Sequence, residues 1–542
     1  MSGHVPRESD LLKGAYSRWA YAAWLLVILV FAGLHFVHLS ADFPNHSPWM
    51  EDWAKYTDEG WYGNAAIRAH LFGHWYLPQD FNPAPAVPVW PFLEWIVFFF
   101  TGVSIVAARA LSVSFFLLEL ILGYLFLRVR GSRWMALLAM TLVVTSPFLY
   151  SFSRLAILEP MLVTFLLAGL NLALRLPRFR RPVAISALVG VLFTLMLLTK
   201  TTAVFLLPAL GWTIVASLWP DWRKALRCCL AAALGAAVSF GAWMATVVHA
   251  GLLADYKYLF FINTYTKPTE WYWPVLSFWW ALHGGFWADR LLMPVVALVL
   301  LATAAAFRWR WSRSLWLNPA FGASVLAVAG YLLFMTYQNH PQARYFVVIA
   351  LFSFFALAMA AEALLTGFRG AASQQGPAIW RTAPGAVVIA ASSLIAAFNG
   401  ILTLEYIAHP EYTFVTAARD LVHYMDQHPN GNRILVSVSG DEISMITQVR
   451  SLCDDFGTVP LPDKLAHYQP GWWATWNDID PGTLEDLHLH FSLEQVASFR
   501  AFDHPDRNEL VLFKLHPLAS EREDTPALQE PQPDDKIDIP VQ

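Results

Sequence analysis

The sequence predicts an all-α polytopic membrane protein with a soluble α/β domain at its C-terminal end. Three observations carry this. Only 14% of the 542 residues are charged and 57% are hydrophobic, whereas a soluble domain is about one quarter charged. Apolar runs of about 20 residues recur up to residue 404, long enough to cross a bilayer as helices. The 25 tryptophans fit the aromatic belts of membrane interfaces. A net charge of −4 leaves no basic footprint, so nucleic acid is not an expected partner.

The apolar runs predict spans near 20–38, 104–127, 133–152, 160–176, 183–199, 202–218, 226–249, 290–307, 319–337, 346–365 and 384–403. That makes about eleven transmembrane helices. No small-residue cleavage site follows the first run, so it reads as a retained span. Basic residues orient the set. Arg7, Lys13 and Arg18 precede the first span, and every second connection is then basic. These are Arg128/Arg130/Arg133, Arg175/Arg178/Arg180/Arg181, Arg223/Lys224/Arg227, Arg308/Arg310/Arg313 and Arg369/Arg381. The positive-inside rule puts the N-terminus and all these loops in the cytoplasm. The alternate connections, 39–103, 153–159, 199–201, 250–289 and 338–345, then lie outside.

Residues 405–518 read as an outward-facing α/β domain. Phe414, Ala418, Leu421, Val422 and Met425 fall at helical spacing. The turn chemistry of His428-Pro429-Asn430-Gly431 ends that helix. Residues 433–438 and 509–513 look like buried strands. Residues 519–542, acidic and Pro-rich, read as a disordered tail. Cys228, Cys229 and Cys453 build neither a disulfide framework nor a metal cluster.

Candidate chemistry lies in the outer connections. In Thr57-Asp58-Glu59-Gly60-Trp61-Tyr62, Thr57 is a candidate N-cap, which puts both acids in a first helical turn where the helix dipole favours carboxylates. Asp58 and Tyr62 share a face, and Gly60 and Gly63 leave room for a ligand. The alternative is a solvated juxtamembrane helix. Ser47-Pro48 is a candidate start for another short helix. Glu159 precedes Pro160 at the mouth of a span, where an ionisable group is a functional hypothesis by default. The bland alternative pairs it with Arg154. Lys200, in the short turn between two spans, is either a snorkelling lysine or a cation for a lipid phosphate. Arg344 opens another span and offers a planar fork suited to phosphate. The aromatic loop 250–289 reads mainly as an interfacial belt. His70, His74 and His340 have no metal-ligand spacing, so no metal is expected.

The Asp58-Glu59 pair with Tyr62, the acid-Pro of Glu159-Pro160, the Leu-Thr-Lys at 198–200 and Arg344-Tyr345 together resemble the GT-C glycosyltransferases. Within these, the resemblance is to the protein O-mannosyltransferase and aminoarabinose (lipid A) transferase superfamily, over about residues 15–405. It implies a transmembrane catalytic domain at 1–404 and a donor made of a sugar on a polyprenyl phosphate, with no further cofactor. The acceptor is a lipid, glycan or protein outside the cytoplasm. It assigns Asp58 as catalytic base, with Glu59 its motif neighbour. Glu159 stands where the family usually has aspartate. Lys200 and Arg344 become candidates for the donor phosphate, and Tyr62, Tyr345 and His340 for the substrate lining. The implied location is the bacterial inner membrane, with the C-terminal domain in the periplasm. A transporter or flippase for a lipid-linked or anionic substrate is the alternative reading, with the acids in proton coupling.

Overall fold

The computed structural model describes residues 8–44, 52–262, 270–272, 275–276, 299, 302–304, 310–337, 342–370, 379–453 and 457–518. The apolar runs become helices: α1 (Glu8–Leu34), α4 (Ile105–Leu127), α5 (Arg133–Thr145), α6 (Pro147–Ser153), α7 (Glu159–Leu174), α8 (Pro182–Thr199), α9 (Leu207–Leu218) and α10 (Trp222–His249). After α11 (Leu253–Lys257) come α12 (Arg310–Trp316), α13 (Pro319–Tyr337), α14 (Phe346–Gly370) and α15 (Ile379–Ala408). Among the described residues, seven helices are long and apolar enough to cross a membrane, or eight if one bent pair counts as a single span. The expected count of about eleven is therefore not reached on length and composition. The first and fourth expected spans appear as the shorter apolar helices Arg18–Leu34 and Glu159–Leu174. The span expected at 290–307 lies largely outside the described residues.

One expected span is broken. Residues 133–152 form two helices bent by 66°. Pro147 cannot continue the hydrogen-bond ladder of α5, and Ser146 starts α6 by accepting from the Leu149 amide at 3.2 Å. The connection 39–103 holds two helices, α2 (Asp58–Leu71) and α3 (Val89–Thr101). The 13 residues of α3 rise only about 20 Å, too short to span. Its exposed face carries Phe92, Ile96, Phe99 and Phe100.

Helices meet through polar hooks and small residues, as expected where water does not drive association. Thr164 Oγ1 and Asn171 Nδ2 of α7 donate to the Phe115 and Leu122 carbonyls of α4 at 3.0 and 2.9 Å. Thr403 Oγ1 of α15 donates to the Thr145 carbonyl at 2.8 Å. The window Ala343–Leu365 is 89% buried and forms the centre. The window in α10 is only 6% buried. That helix touches α8 backbone to backbone: a Cβ on Gly190 would sit 1.9 Å from the Ala232 carbonyl oxygen, and one on Gly235 2.2 Å from that of Ala187.

Beyond α15, helix α16 (Thr413–Gln427) buries Phe414, Ala418, Leu421, Val422 and Met425, the positions its spacing predicts. It ends at Gln427, before the His428–Gly431 turn. Five strands follow, β1 (Leu435–Val436), β2 (Ser451–Leu452), β3 (Trp472–Trp476), β4 (Phe491–Arg500) and β5 (Glu509–Pro517), in the order β2-β1-β3-β5-β4. β1 runs parallel to β2 and β3, and β5 antiparallel to β3 and β4. Side-chain alternation sends Trp472, Ala474 and Trp476 into one apolar cluster with α16 and Trp473 into another on the opposite face. The intervening helices are α17 (Gly440–Thr447), α18 (Leu461–Tyr468) and α19 (Pro481–His488).

This region is pinned to the connection 39–103. Asp42 accepts from the Phe414 amide and the Thr413 hydroxyl, both at 2.9 Å, capping α16 from the bundle side. Asp80 pairs with both Arg68 and Lys464, and all three are buried.

Replacing Gly190 by Leu is expected to force α8 and α10 apart, because the opposing atoms are backbone and cannot turn aside. Overpacking of this kind costs about 1–3 kcal/mol. Thermal unfolding of the detergent-purified chain should show a lowered midpoint, while Leu230→Ala, on the exposed side of α10, should leave it nearly unchanged.

Candidate functional site

Four separate stretches converge at one end of the helix bundle. Asp52 opens a short 3₁₀ turn at Trp53–Lys55, accepting from the Ala54 amide at 2.8 Å. Its carboxylate also accepts from the Arg344 backbone amide at 2.8 Å and from Arg344 Nη1. Arg344 Nη2 donates to Asp58 Oδ2. The guanidinium thus lies between two carboxylates, with its Nε 3.9 Å from Glu159 Oε1. Lys200 Nζ donates to the same Glu159 oxygen. Tyr345 underlies both cations, its ring centroid 4.5 Å from Lys200 Nζ and 5.2 Å from Arg344 Cζ.

Local sequence explains each placement. Pro160 starts α7 and leaves Glu159 in the first turn, where the helix dipole favours a carboxylate. Lys200 ends α8 in extended backbone before the 3₁₀ turn at Thr201–Leu206. Arg344 sits in a 3₁₀ turn ahead of α14. Asp58 starts α2. Asp52, Glu159, Lys200 and Arg344 are all buried, but the Asp58 side chain stays 18% exposed. Asp58 is therefore the carboxylate of this cluster with an open side. Burial pushes its carboxyl above the usual aspartate range, and the Arg344 guanidinium draws it back. One turn further on, burial likewise holds the Tyr62 phenol well above its ordinary value.

The structure thus brings together Asp58, Tyr62, Glu159, Lys200, Arg344 and Tyr345. It does not bring Glu59 with them. Successive residues on a helix face in different directions, and Glu59 turns into the protein. It accepts from Arg109 Nε at 2.8 Å, from Arg109 Nη2, and from the Ala156 amide at 2.6 Å. Arg109 also donates to the carbonyls of Leu39 and Ala41 at 2.9 and 2.6 Å. This ion pair ties α2, α4 and two connections together and does not face the cluster. Glu159 pairs with Lys200; the alternative partner, Arg154, instead donates to the Tyr150 hydroxyl and the Val37 carbonyl. Thr57 stands at the start of α2 without capping it, its hydroxyl donating to the Val438 carbonyl at 2.7 Å.

Sequence reasoning missed Asp52 and Arg109. Asp52 looks like any acid in a polar loop. Arg109 had a signal, a lone cation inside an apolar run. His340 and Ser47-Pro48 lie outside the described residues, as do Trp273, Trp279, Trp280 and Trp287 of the aromatic loop. Among the described residues no group of three or more His, Cys, Asp or Glu side chains is placed to hold a metal ion.

Two solved structures share this arrangement of helices. ArnT from Cupriavidus metallidurans bound to undecaprenyl phosphate aligns with a TM-score of 0.60 at 15% identity, over 93% of this chain and 99% of that one. The archaeal oligosaccharyltransferase AglB from Archaeoglobus fulgidus, in complex with an inhibitory peptide and a dolichol-phosphate, aligns with a TM-score of 0.50 at 11% identity, over 94% of this chain and 75% of that one. The chain therefore has the GT-C glycosyltransferase fold that its motifs resemble. Within that class, the sequence pattern of the dolichyl-phosphate-mannose-protein mannosyltransferase family matches residues 84–265. A search of curated protein sequences finds no match.

Breaking one half of the Glu59–Arg109 pair should destabilise the fold by about 3–5 kcal/mol, because the partner remains as a buried unpaired charge. Glu59→Gln and Arg109→Met are each expected to lower the unfolding midpoint and the yield of folded protein. The double variant should lose less than the sum of the two. Additive losses would show that the two side chains do not depend on each other.

Proposed function

We propose that this protein is a membrane glycosyltransferase moving a sugar from a polyprenyl-phosphate donor to an acceptor hydroxyl by a single inverting displacement. The observation that carries this reading is the cluster itself: a partly open carboxylate, Asp58, hydrogen-bonded to a buried guanidinium, with a second cation, Lys200, beside it. It lies at the end of lipid-embedded helices, where the headgroup of a long-chain lipid would present its phosphate.

In this reading the acceptor O–H gives its proton to the Asp58 carboxylate as the oxygen attacks C1 of the sugar. The bond between C1 and the phosphate oxygen breaks, and polyprenyl phosphate leaves with one more negative charge than the diester carried. Arg344 and Lys200 meet that developing charge. Glu159 holds Lys200 in place, and Asp52 holds Arg344. Tyr62 and Tyr345 line the space. A carboxylate remains an effective base because the hydroxyl acidifies as the bond to carbon forms. The donor phosphate competes with Asp58 for Arg344, so donor binding frees the base. ArnT, which shares the fold, was solved with undecaprenyl phosphate, a ligand of the proposed donor's lipid class.

The regular alternation of basic connections supports a site on the face away from the cytoplasm, and the resemblance to the lipid A transferases supports the bacterial inner membrane, with that face in the periplasm. We further propose a catalytic domain at 1–404 and a periplasmic domain at 405–518. The tail 519–542 lies outside the described residues.

The direct test is transfer of radiolabelled sugar from polyprenyl-phosphate donors by the reconstituted full chain. Asp58→Asn should fold normally and lose about 10²–10⁴-fold in rate; near-normal transfer would remove Asp58 from the base role. Arg344→Ala and Lys200→Ala should each weaken donor use by about 10- to 100-fold, the loss of one charge-assisted contact. An effect confined to acceptor dependence would contradict the phosphate role.

The pH profile supplies a separate check. Asp58 acts ionised, so the rate falls as pH drops through its pKa, which burial raises above 3.8. Asp52 raises that pKa as a like charge. Asp52→Asn removes this charge and leaves Asp58 as the carboxylate hydrogen-bonded to Arg344, with Glu159 at 3.9 Å, and both changes lower the pKa. The acidic limb of kcat/KM should therefore move to lower pH. A limb that moves upward, or stays in place, would show that Asp58 is not the titrating group.

A further inference from the structure

The two sides of the Asp58–Arg344 pair are held by different parts of the chain. Arg344 stands at the start of α14, a helix of the bundle, and Asp52 of the first connection bonds its amide and guanidinium. Asp58 is fixed from the C-terminal region. Ser439 Oγ donates to the Tyr56 carbonyl at 2.5 Å, and the Thr57 hydroxyl donates to the Val438 carbonyl at 2.7 Å. Asn64 Nδ2 donates to Asp441 Oδ2 at 2.7 Å. These three contacts bracket the first turn of α2 on both sides of Asp58.

Between them the two chains touch directly. A Cβ on Gly60 would sit 2.2 Å from the Glu442 amide nitrogen and 2.3 Å from the Asp441 carbonyl carbon. Those atoms are backbone, so only glycine permits this approach. The C-terminal face of the contact is itself anchored. Ser444 Oγ donates to the Val449 carbonyl at 2.6 Å and lies 2.8 Å from Ser451 Oγ, tying α17 to β2. Tyr56 packs edge-on against Phe502 and Trp476, with ring centroids 5.0 and 5.8 Å away. Arg507 lies over the rings of Trp53 and Tyr56 at 4.3 and 4.6 Å. The segment leading into Asp58 is therefore seated on the sheet region through Tyr56 and Thr57, while its head, Asp52 and Trp53, is bonded to Arg344 and Gln342 ahead of α14.

We propose that Val438–Glu442 is the positioning element of the site, setting where the Asp58 carboxylate stands relative to Arg344, and that the C-terminal region thereby governs the chemical step. This rests on the function proposed above. None of these residues touches the reacting atoms. They act through the placement of α2, and a misplacement of about 1 Å is enough to lose on the order of 10²-fold in rate.

The test uses the full-length protein in lipid nanodiscs. Thr57→Val removes the hydroxyl that reaches Val438 without changing side-chain size. Thr57→Ser keeps the hydroxyl. Gly60→Ala inserts a methyl between α2 and α17. Two readouts are taken on folded protein: kcat and donor KM for sugar transfer, and amide hydrogen exchange across residues 56–64. Thr57→Val and Gly60→Ala are expected to lower kcat by about 10- to 100-fold, with donor KM within about twofold and faster exchange at 56–64; Thr57→Ser should restore kcat. A structural role alone would reduce the amount of folded protein and leave kcat per folded molecule intact, which overturns the proposal. If Gly60→Ala does not fold, the Thr57 pair decides. If the wild-type chain transfers no sugar from any polyprenyl-phosphate donor, the proposed function fails, and exchange alone decides the positioning claim. Faster exchange in Thr57→Val, restored in Thr57→Ser, supports it, and unchanged exchange overturns it.

Discussion

The structure depends on a guanidinium that must be buried and cannot be left unpaired. Arg344 is only 4% exposed. The desolvation of such a charge is several kcal/mol, offset only when carboxylates meet it in good geometry. Asp52 and Asp58 provide that from the first connection, and Glu159 and Lys200 complete the cluster from two other helix ends. Packing of α7, α8 and α14 sets where these ends arrive. The ion pairs then select, among the ways apolar helices can pack, one that brings the charges together. Apolar burial does not discriminate between those packings in a membrane, since lipid tails are as apolar as the side chains.

Charge balance says what the cluster is poised to do. It holds three carboxylates, Asp52, Asp58 and Glu159, against two cations, Arg344 and Lys200. An incoming phosphate adds negative charge, so it binds by exchange and not by simple addition. Asp52 is fixed by two backbone amides besides the guanidinium, and Glu159 is enclosed. Asp58 is the partly exposed acid, and burial pushes its carboxyl above the usual aspartate range. Of the two carboxylates hydrogen-bonded to Arg344, Asp58 is therefore the one more readily displaced. In the proposed reaction the same displacement that binds the donor readies the base.

Much of this was legible in the sequence because ionisable groups are rare beside apolar runs. Glu159, Lys200 and Arg344 each stood out beside apolar runs, and the structure places all three in one cluster. Pairing was not legible. Nothing in the chain says that Glu159 prefers Lys200, 41 residues on, to the nearer Arg154. The adjacent acids Asp58 and Glu59 read as one motif, but a helix turns them to different faces, one toward Arg344 and one toward Arg109. Asp52 was hidden because a loop aspartate is ordinary until its partner is known. The break at Ser146-Pro147 was within reach, since proline cannot continue a helix; the hydrophobicity on both sides masked it. In the C-terminal region, the period of Phe414 to Met425 specified the helix correctly, because one-sided burial leaves a clear pattern there. Inside the bundle such a pattern fades, because helices are apolar on every side.

The fold and the site also differ in what they demand of sequence. ArnT keeps the same arrangement of helices at 15% identity, which is possible because apolar side chains of similar volume substitute for one another between helices. The Asp58 environment tolerates far less. Gly60 stands where any side chain would strike backbone, Asn64 must donate to Asp441, and the Thr57 hydroxyl is committed to Val438. Each of these constraints crosses from the first connection to the C-terminal region, a separation of more than 370 residues in sequence. A sheet region packed on the helix that carries the candidate base is thus part of the geometry of the site. A chain that kept every span but repacked α17 would retain its fold and its buried charges, and would move the carboxylate on which the proposed chemistry turns.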